Sequence, residues 1–133
     1  MTIAKRSVIT AEKAPKAIGP YSVAIRAGEF IFVSGTLGIH PETGDLVAGG
    51  IEAQTRKALE NLANVLEAGG SSLGQVVKTT VFLQDMGEFS AMNNVYASFF
   101  SQDPPARSTV EVAALPKGAA VEIEAIALVK GGS

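Results

Sequence analysis

The segment Val121-Glu122-Ile123-Glu124-Ala125-Ile126-Ala127-Leu128-Val129-Lys130 decides how this chain folds. Read with the two-residue period of a strand, it sends Val121, Ile123, Ala125, Ala127 and Val129 to one face. Ile126 and Leu128 fall on the opposite face, together with Glu122 and Glu124. A strand that is apolar on both sides needs cover on both sides.

Working outward, Arg107–Ala113 is a second strand, joined to the last one through Leu115-Pro116-Lys117-Gly118. Before it, Glu88–Phe100 reads as a helix with Phe89, Met92, Tyr96, Phe99 and Phe100 on one face, ended by Pro104-Pro105. Gln75–Gln84 is rich in β-branched residues and reads as a strand. Ile51–Ala68 is the clearest helix: Ile51, Thr55, Ala58, Leu59, Leu62, Val65 and Leu66 keep helical spacing, and Gly69-Gly70 stops it. Near the start, Ser22–Ala27 and Phe30–Gly35 are strand-like runs split by Gly28-Glu29, which suits a two-residue type II′ turn. The order is β-β-α-β-α-β-β, with a further short strand available at Arg6–Ile9. This predicts an α+β fold with a mixed sheet and both helices on one face. The other face then calls for a partner, and a second copy of the chain is the simplest one.

The 133 residues contain no internal repeat or linker, so one domain over 1–133 is expected. With no cysteine, disulfides and thiolate chemistry are excluded, which fits a cytoplasmic protein. Met1–Thr10 has no apolar run of signal-peptide length, and no stretch approaches the roughly 20 apolar residues of a membrane span. A net charge of -2 and scattered cations argue against a nucleic-acid groove. The chain is 47% hydrophobic and 18% charged, which is apolar for its size and again points to a subunit interface.

The only histidine, His40, precedes Pro41 in the turn Pro41-Glu42-Thr43-Gly44, where a solvent-exposed loop role is expected. One histidine and dispersed carboxylates offer no metal-ligand spacing. Three features stand out instead. Arg107 begins a strand on which Thr109 and Glu111 share its face; it suits either a bound carboxylate or an ion pair with Glu111 or Glu124. Glu122 and Glu124 share a strand face about 7 Å apart, either as a solvated strand end or as a base in a cleft. Asn93 lies 40° around the helix from Phe89, where it could bind a ligand or tie down a loop.

Five stretches carry a resemblance over about Ala14–Val129. They are Ala17-Ile18-Gly19-Pro20-Tyr21, Val33-Ser34-Gly35, Val77-Lys78-Thr79-Thr80-Val81-Phe82, Asn93 with Tyr96, and the long block PPARSTVEVAALPKGAAVEIEAIA. Together they resemble the Rid/YjgF family of reactive imine and enamine deaminases, also known as L-PSP endoribonuclease-like proteins. The resemblance implies a chorismate-mutase-like fold, a homotrimer with clefts between subunits, and hydrolysis without cofactor or metal. The substrates it implies are 2-imino or 2-enamino acids of the 2-iminopropanoate, 2-iminobutanoate and 2-aminoacrylate type, and the products are 2-keto acids and ammonia. Arg107 matches the residue that grips the substrate carboxylate, and Glu122 the one that positions or activates water. Tyr21, Ser34, Gly35 and Asn93 match pocket positions. Thr109 stands where a backbone carbonyl faces the ligand and where many relatives carry cysteine. Two rival classes stay open: a ribonuclease or translation inhibitor, and a non-catalytic trimer that senses ligands or acts as a chaperone.

Overall fold

The computed structural model describes residues 5–130. Six strands form one mixed sheet: β1 (Arg6–Ile9), β2 (Ala24–Ala27), β3 (Phe30–Leu37), β4 (Val76–Leu83), β5 (Ala106–Glu111) and β6 (Val121–Leu128). Two helices, α1 (Gly50–Ala68) and α2 (Phe89–Phe99), pack on one face. The α+β architecture is the one expected, and the short strand at Arg6–Ile9 is real. The strand order is β1-β2-β3-β6-β4-β5, with β4 and β5 parallel and every other pair antiparallel.

The last strand therefore lies in the interior of the sheet, between β3 and β4. Its alternation is the one read from the sequence: Val121, Ile123, Ala125 and Ala127 are buried under the helices, while Ile126 and Leu128 lie half-buried on the far side. The α1 stripe is buried from Ile51 through Leu66 as expected. Gly28 has φ +62 while Glu29 keeps a negative φ, so the β2–β3 hairpin turns by the type II′ route.

Boundaries differ by a residue or two where tertiary contacts intervene. Met86–Glu88 is a 3₁₀ turn rather than the start of α2, because Asp85 caps it through the Gly87 N–H at 2.8 Å. β5 ends at Glu111, whose carboxylate accepts the Met86 N–H at 2.7 Å. His40 is exposed.

Across the outer face, Val8, Ile25, Phe32, Ile126 and Lys78 form one rung, with Phe30 and Leu128 beside it. Phe30 and Phe32 are 42% and 45% exposed, so no element of the described chain covers this face. Among the described residues, no helix is long and apolar enough to cross a membrane.

Two polar residues of α1 fasten the helix to the sheet, Asn61 at the end of β3 and Gln54 at the start of β6. Asn61 donates to the Leu37 and Ile39 carbonyls at 3.0 and 2.9 Å, and Gln54 accepts the Ala120 N–H at 2.8 Å. Gly38 permits this approach, since a Cβ there would lie 2.3 Å from the Gln54 backbone oxygen. Backbone cannot swing aside as a side-chain tip can. Gly38→Ala is expected to destabilise the fold by roughly 1–3 kcal/mol, the usual penalty of overpacking. A lowered thermal midpoint checks this; an unchanged one would mean that α1 does not need so close an approach.

Candidate active site

The site begins at a bulge. Val33 pairs with Ala125 and Thr36 with Ile123, so Ser34 and Gly35 on β3 together oppose Glu124 alone on β6. The extra residue re-aims the strand. Ser34 Oγ donates to the Ser22 carbonyl at 2.6 Å, which leaves its lone pairs free to accept. Gly35 lies against Glu122: a Cβ at Gly35 would fall 2.6 Å from the Glu122 carboxyl carbon and Oε2. The absent side chain is thus the space that the carboxylate occupies.

Tyr21, Ser34, Gly35, Glu122 and Glu124 line one cleft of about 470 Å³, with Ile18, Leu37 and Phe82 supplying apolar wall. The Tyr21 hydroxyl accepts the Ile18 N–H at 3.2 Å, fixing the loop at the mouth. Burial raises the Glu122 pKa above its ordinary value, and the Glu124 charge on the same face adds to the rise. A carboxyl group with raised basicity beside a partly apolar cleft is suited to taking a proton from water.

Arg107, Thr109 and Asn93 are not in this cleft. In the parallel β4–β5 ladder Arg107 pairs with Thr79 and Thr109 with Val81, both of which are buried under the helices. Glu122 pairs with Leu37 and Phe82 on the outer face. Within one chain the two sets lie on opposite sides of the sheet. The Arg107 guanidinium rests on two α2 rings, 4.7 Å from the Tyr96 centroid and 5.6 Å from that of Phe89. Asn93 sits between those rings in the helical stripe, and both Asn93 Oδ1 and Thr109 Oγ1 are buried without a hydrogen-bond partner.

The ion pair open to Arg107 on sequence grounds does not form. Among the described residues the only one within 4.0 Å is Lys57–Glu60. Glu111 is four residues along the strand, about 13 Å away by strand rise, and is spent on the Met86 N–H. Glu124 is on the wrong face. Among the described residues, no carboxylate lies within 4.0 Å of the Arg107 guanidinium. The signal for the rings that hold it lies in the spacing of Phe89, Asn93 and Tyr96 at i, i+4 and i+7, which puts all three on the apolar stripe of α2.

This arrangement matches a known group. The chain belongs to the Endoribonuclease L-PSP family, whose pattern matches residues 11–129 and which takes in the Rid/YjgF proteins. It is similar to a RutC family protein of Pyrococcus horikoshii, with 54% identity over 92% of this chain and 97% of the other. It is 48% identical to the 2-iminobutanoate/2-iminopropanoate deaminase of Mus musculus, over 92% of this chain and 91% of that one. Among solved structures, E. coli TdcF with bound serine superposes with a TM-score of 0.87 at 41% identity, covering 92% of this chain and 98% of that one.

Two expectations follow from the Glu122 environment. A raised carboxyl pKa leaves stability intact below the unfolded value, about 4.3 for glutamate, and removes some as pH rises through the folded value. Glu122→Gln should therefore raise the thermal midpoint at neutral pH and leave it unchanged near pH 3. Equal effects at both pH values would mean that the charge is not what costs stability. Separately, Gly35→Ala should displace the Glu122 side chain, a flexible tip, without unfolding the chain, which a crystal structure of the variant would reveal.

Proposed function

We propose that this protein hydrolyses 2-imino and 2-enamino acids to 2-keto acids and ammonia, in clefts between copies of the chain. The observation that carries the reading is the division of the site. An uncompensated guanidinium with two orphaned polar side chains lies on one face, and a basic carboxyl group over a glycine lies on the other. A small acid bearing a carboxylate and an imine carbon asks for both halves at once. The deaminase name of the mouse relative and the serine held by TdcF support the same substrate class.

The chemistry needs little machinery. Arg107 can take the substrate carboxylate through two parallel N–H donors. An imine carbon is already electrophilic, so holding it against an aimed water does much of the work. On the protonated imine, Glu122 accepts a proton as that water adds to the carbon, giving a neutral tetrahedral aminoalcohol. Glu122 then returns this proton to nitrogen, and the C–N bond breaks to release ammonia as the hydroxyl gives its proton to Glu122, and from there to solvent, and the carbonyl forms. Ser34, Gly35, Tyr21 and Asn93 line the space for the small acid, with the Thr109 backbone carbonyl toward the ligand.

Because each chain offers the two halves on opposite faces, a homotrimer would bring Arg107 of one subunit to Glu122 of the next. The exposed Phe30 and Phe32 on the outer face give such an assembly apolar surface to bury.

Subunit mixing tests the reading directly. Arg107→Lys and Glu122→Gln should each lose imine hydrolysis, by about 10²–10⁴-fold for the glutamate, with 2-iminobutanoate as substrate. Unfolding and refolding the two variants together should restore activity to about one quarter of wild type, the share of clefts that draw an intact half from each kind of subunit in a ring. No recovery, with mixed particles demonstrated by mass, would overturn the shared-cleft model. RNA cleavage that follows the protein peak and depends on Glu122, with no imine hydrolysis in the wild type, would overturn the deaminase reading itself.

A further inference from the structure

Resting on the reading that Arg107 grips a carboxylate, we infer that Tyr96 and Thr79 form a buried latch that positions the Arg107 guanidinium.

The geometry begins on β4 and β5. Thr79 is the lateral partner of Arg107 in the parallel ladder, so the two side chains stand next to each other under α2. Tyr96 comes down from α2 above them. Its hydroxyl is 2.7 Å from Thr79 Oγ1, and its ring centre is 4.7 Å from the Arg107 guanidinium carbon. One end of the phenol is thus pinned to the neighbouring strand while its face carries the cation. Phe100 closes the other side, with ring centroids 4.7 Å apart. Thr79 is fully buried and Tyr96 is 6% exposed, so this contact competes with little water.

An isolated guanidinium on a long side chain has many rotamers, and no carboxylate fixes this one. The Tyr96 and Phe89 faces hold it by cation–π attraction, which fixes its distance from the rings but leaves it able to slide across them. Tying the Tyr96 hydroxyl to Thr79 fixes the ring plane, and with it the direction of the guanidinium fork. A bidentate grip depends on that direction. Burial raises the phenol's pKa, against the lowering effects of the Thr79 hydrogen bond and of the charge and N–H contact of the Arg107 guanidinium. Neither residue touches substrate; both act through Arg107.

Three variants separate positioning from mere packing. Tyr96→Phe keeps the ring and removes the hydroxyl, Thr79→Val keeps the shape and removes the partner, and Thr79→Ser keeps the hydrogen bond. In Tyr96→Phe and Thr79→Val, KM for 2-iminobutanoate and the Kd for 2-oxobutanoate should rise together by about three- to tenfold, the size of one ordinary hydrogen bond. Their kcat should fall less than twofold. The double variant should be no worse than either single one, and Thr79→Ser should behave as wild type. The second readout is nuclear magnetic relaxation of the Arg107 Nε–H, which should show a more mobile guanidinium in the first two variants and not in Thr79→Ser. An Arg107 as rigid in Tyr96→Phe as in wild type overturns the latch, whether or not imines are hydrolysed. So do a KM and Kd within twofold of wild type in a protein that is merely less heat-stable. Absence of imine hydrolysis in the wild type overturns the deaminase reading instead, and the relaxation measurement still decides the latch.

Discussion

A strand sends alternate side chains to opposite faces of its sheet, and in this protein that rule separates the two charged groups of the candidate site. Arg107 occupies an inward position on β5, in the same rung as Thr79. Glu122 occupies an outward position on β6, in the same rung as Leu37 and Phe82. No rotamer carries a side chain through a hydrogen-bonded sheet. The helices cover the inner face, and the outer face is left with exposed Phe30, Phe32 and Val110. An uncovered apolar face and a divided site thus occur together in one arrangement, and the assembly we propose would answer both.

The separation also sets the electrostatics. Within one chain no guanidinium stands beside Glu122 to pull its carboxyl pKa down. Instead the residue on the same face is another glutamate, and desolvation acts in the same direction. Arg107 in turn is held by rings, which attract its charge without neutralising it. In the cleft we propose, a substrate carboxylate would take up the Arg107 charge and so limit its pull on Glu122.

Much of the fold could be read from the sequence because it is local. The α1 stripe, the β-branched run of β4, the Gly28-Glu29 turn and the two faces of β6 all depend on residues close in the chain. What could not be read depends on who lies beside whom. β6 sits between β3 and β4, a placement no periodicity encodes. From it follow the bulge at Ser34-Gly35, the seat of Glu122 over Gly35, and the rung that sets Thr79 beside Arg107. Asn61 and Gln54 read as ordinary helix polar residues until the end of β3 and the start of β6 are seen to lie against them. The site residues were named through resemblance, since from spacing alone an ion pair for Arg107 and a loop tie for Asn93 stayed open.

The family carries the word endoribonuclease, so the physical demands of the two chemistries are worth setting side by side. Holding an RNA backbone takes several cations spaced to meet successive phosphates, and commonly aromatic faces for the bases. The cleft beside Glu122 presents two carboxylates on adjacent same-face positions and Lys16 at its wall, a field that disfavours a polyanion. The aromatic faces under α2 are occupied by Arg107 and are not open for stacking. One guanidinium set apart from a carboxyl group of raised basicity instead suits the small monoanion we propose, whose single carboxylate needs one cation.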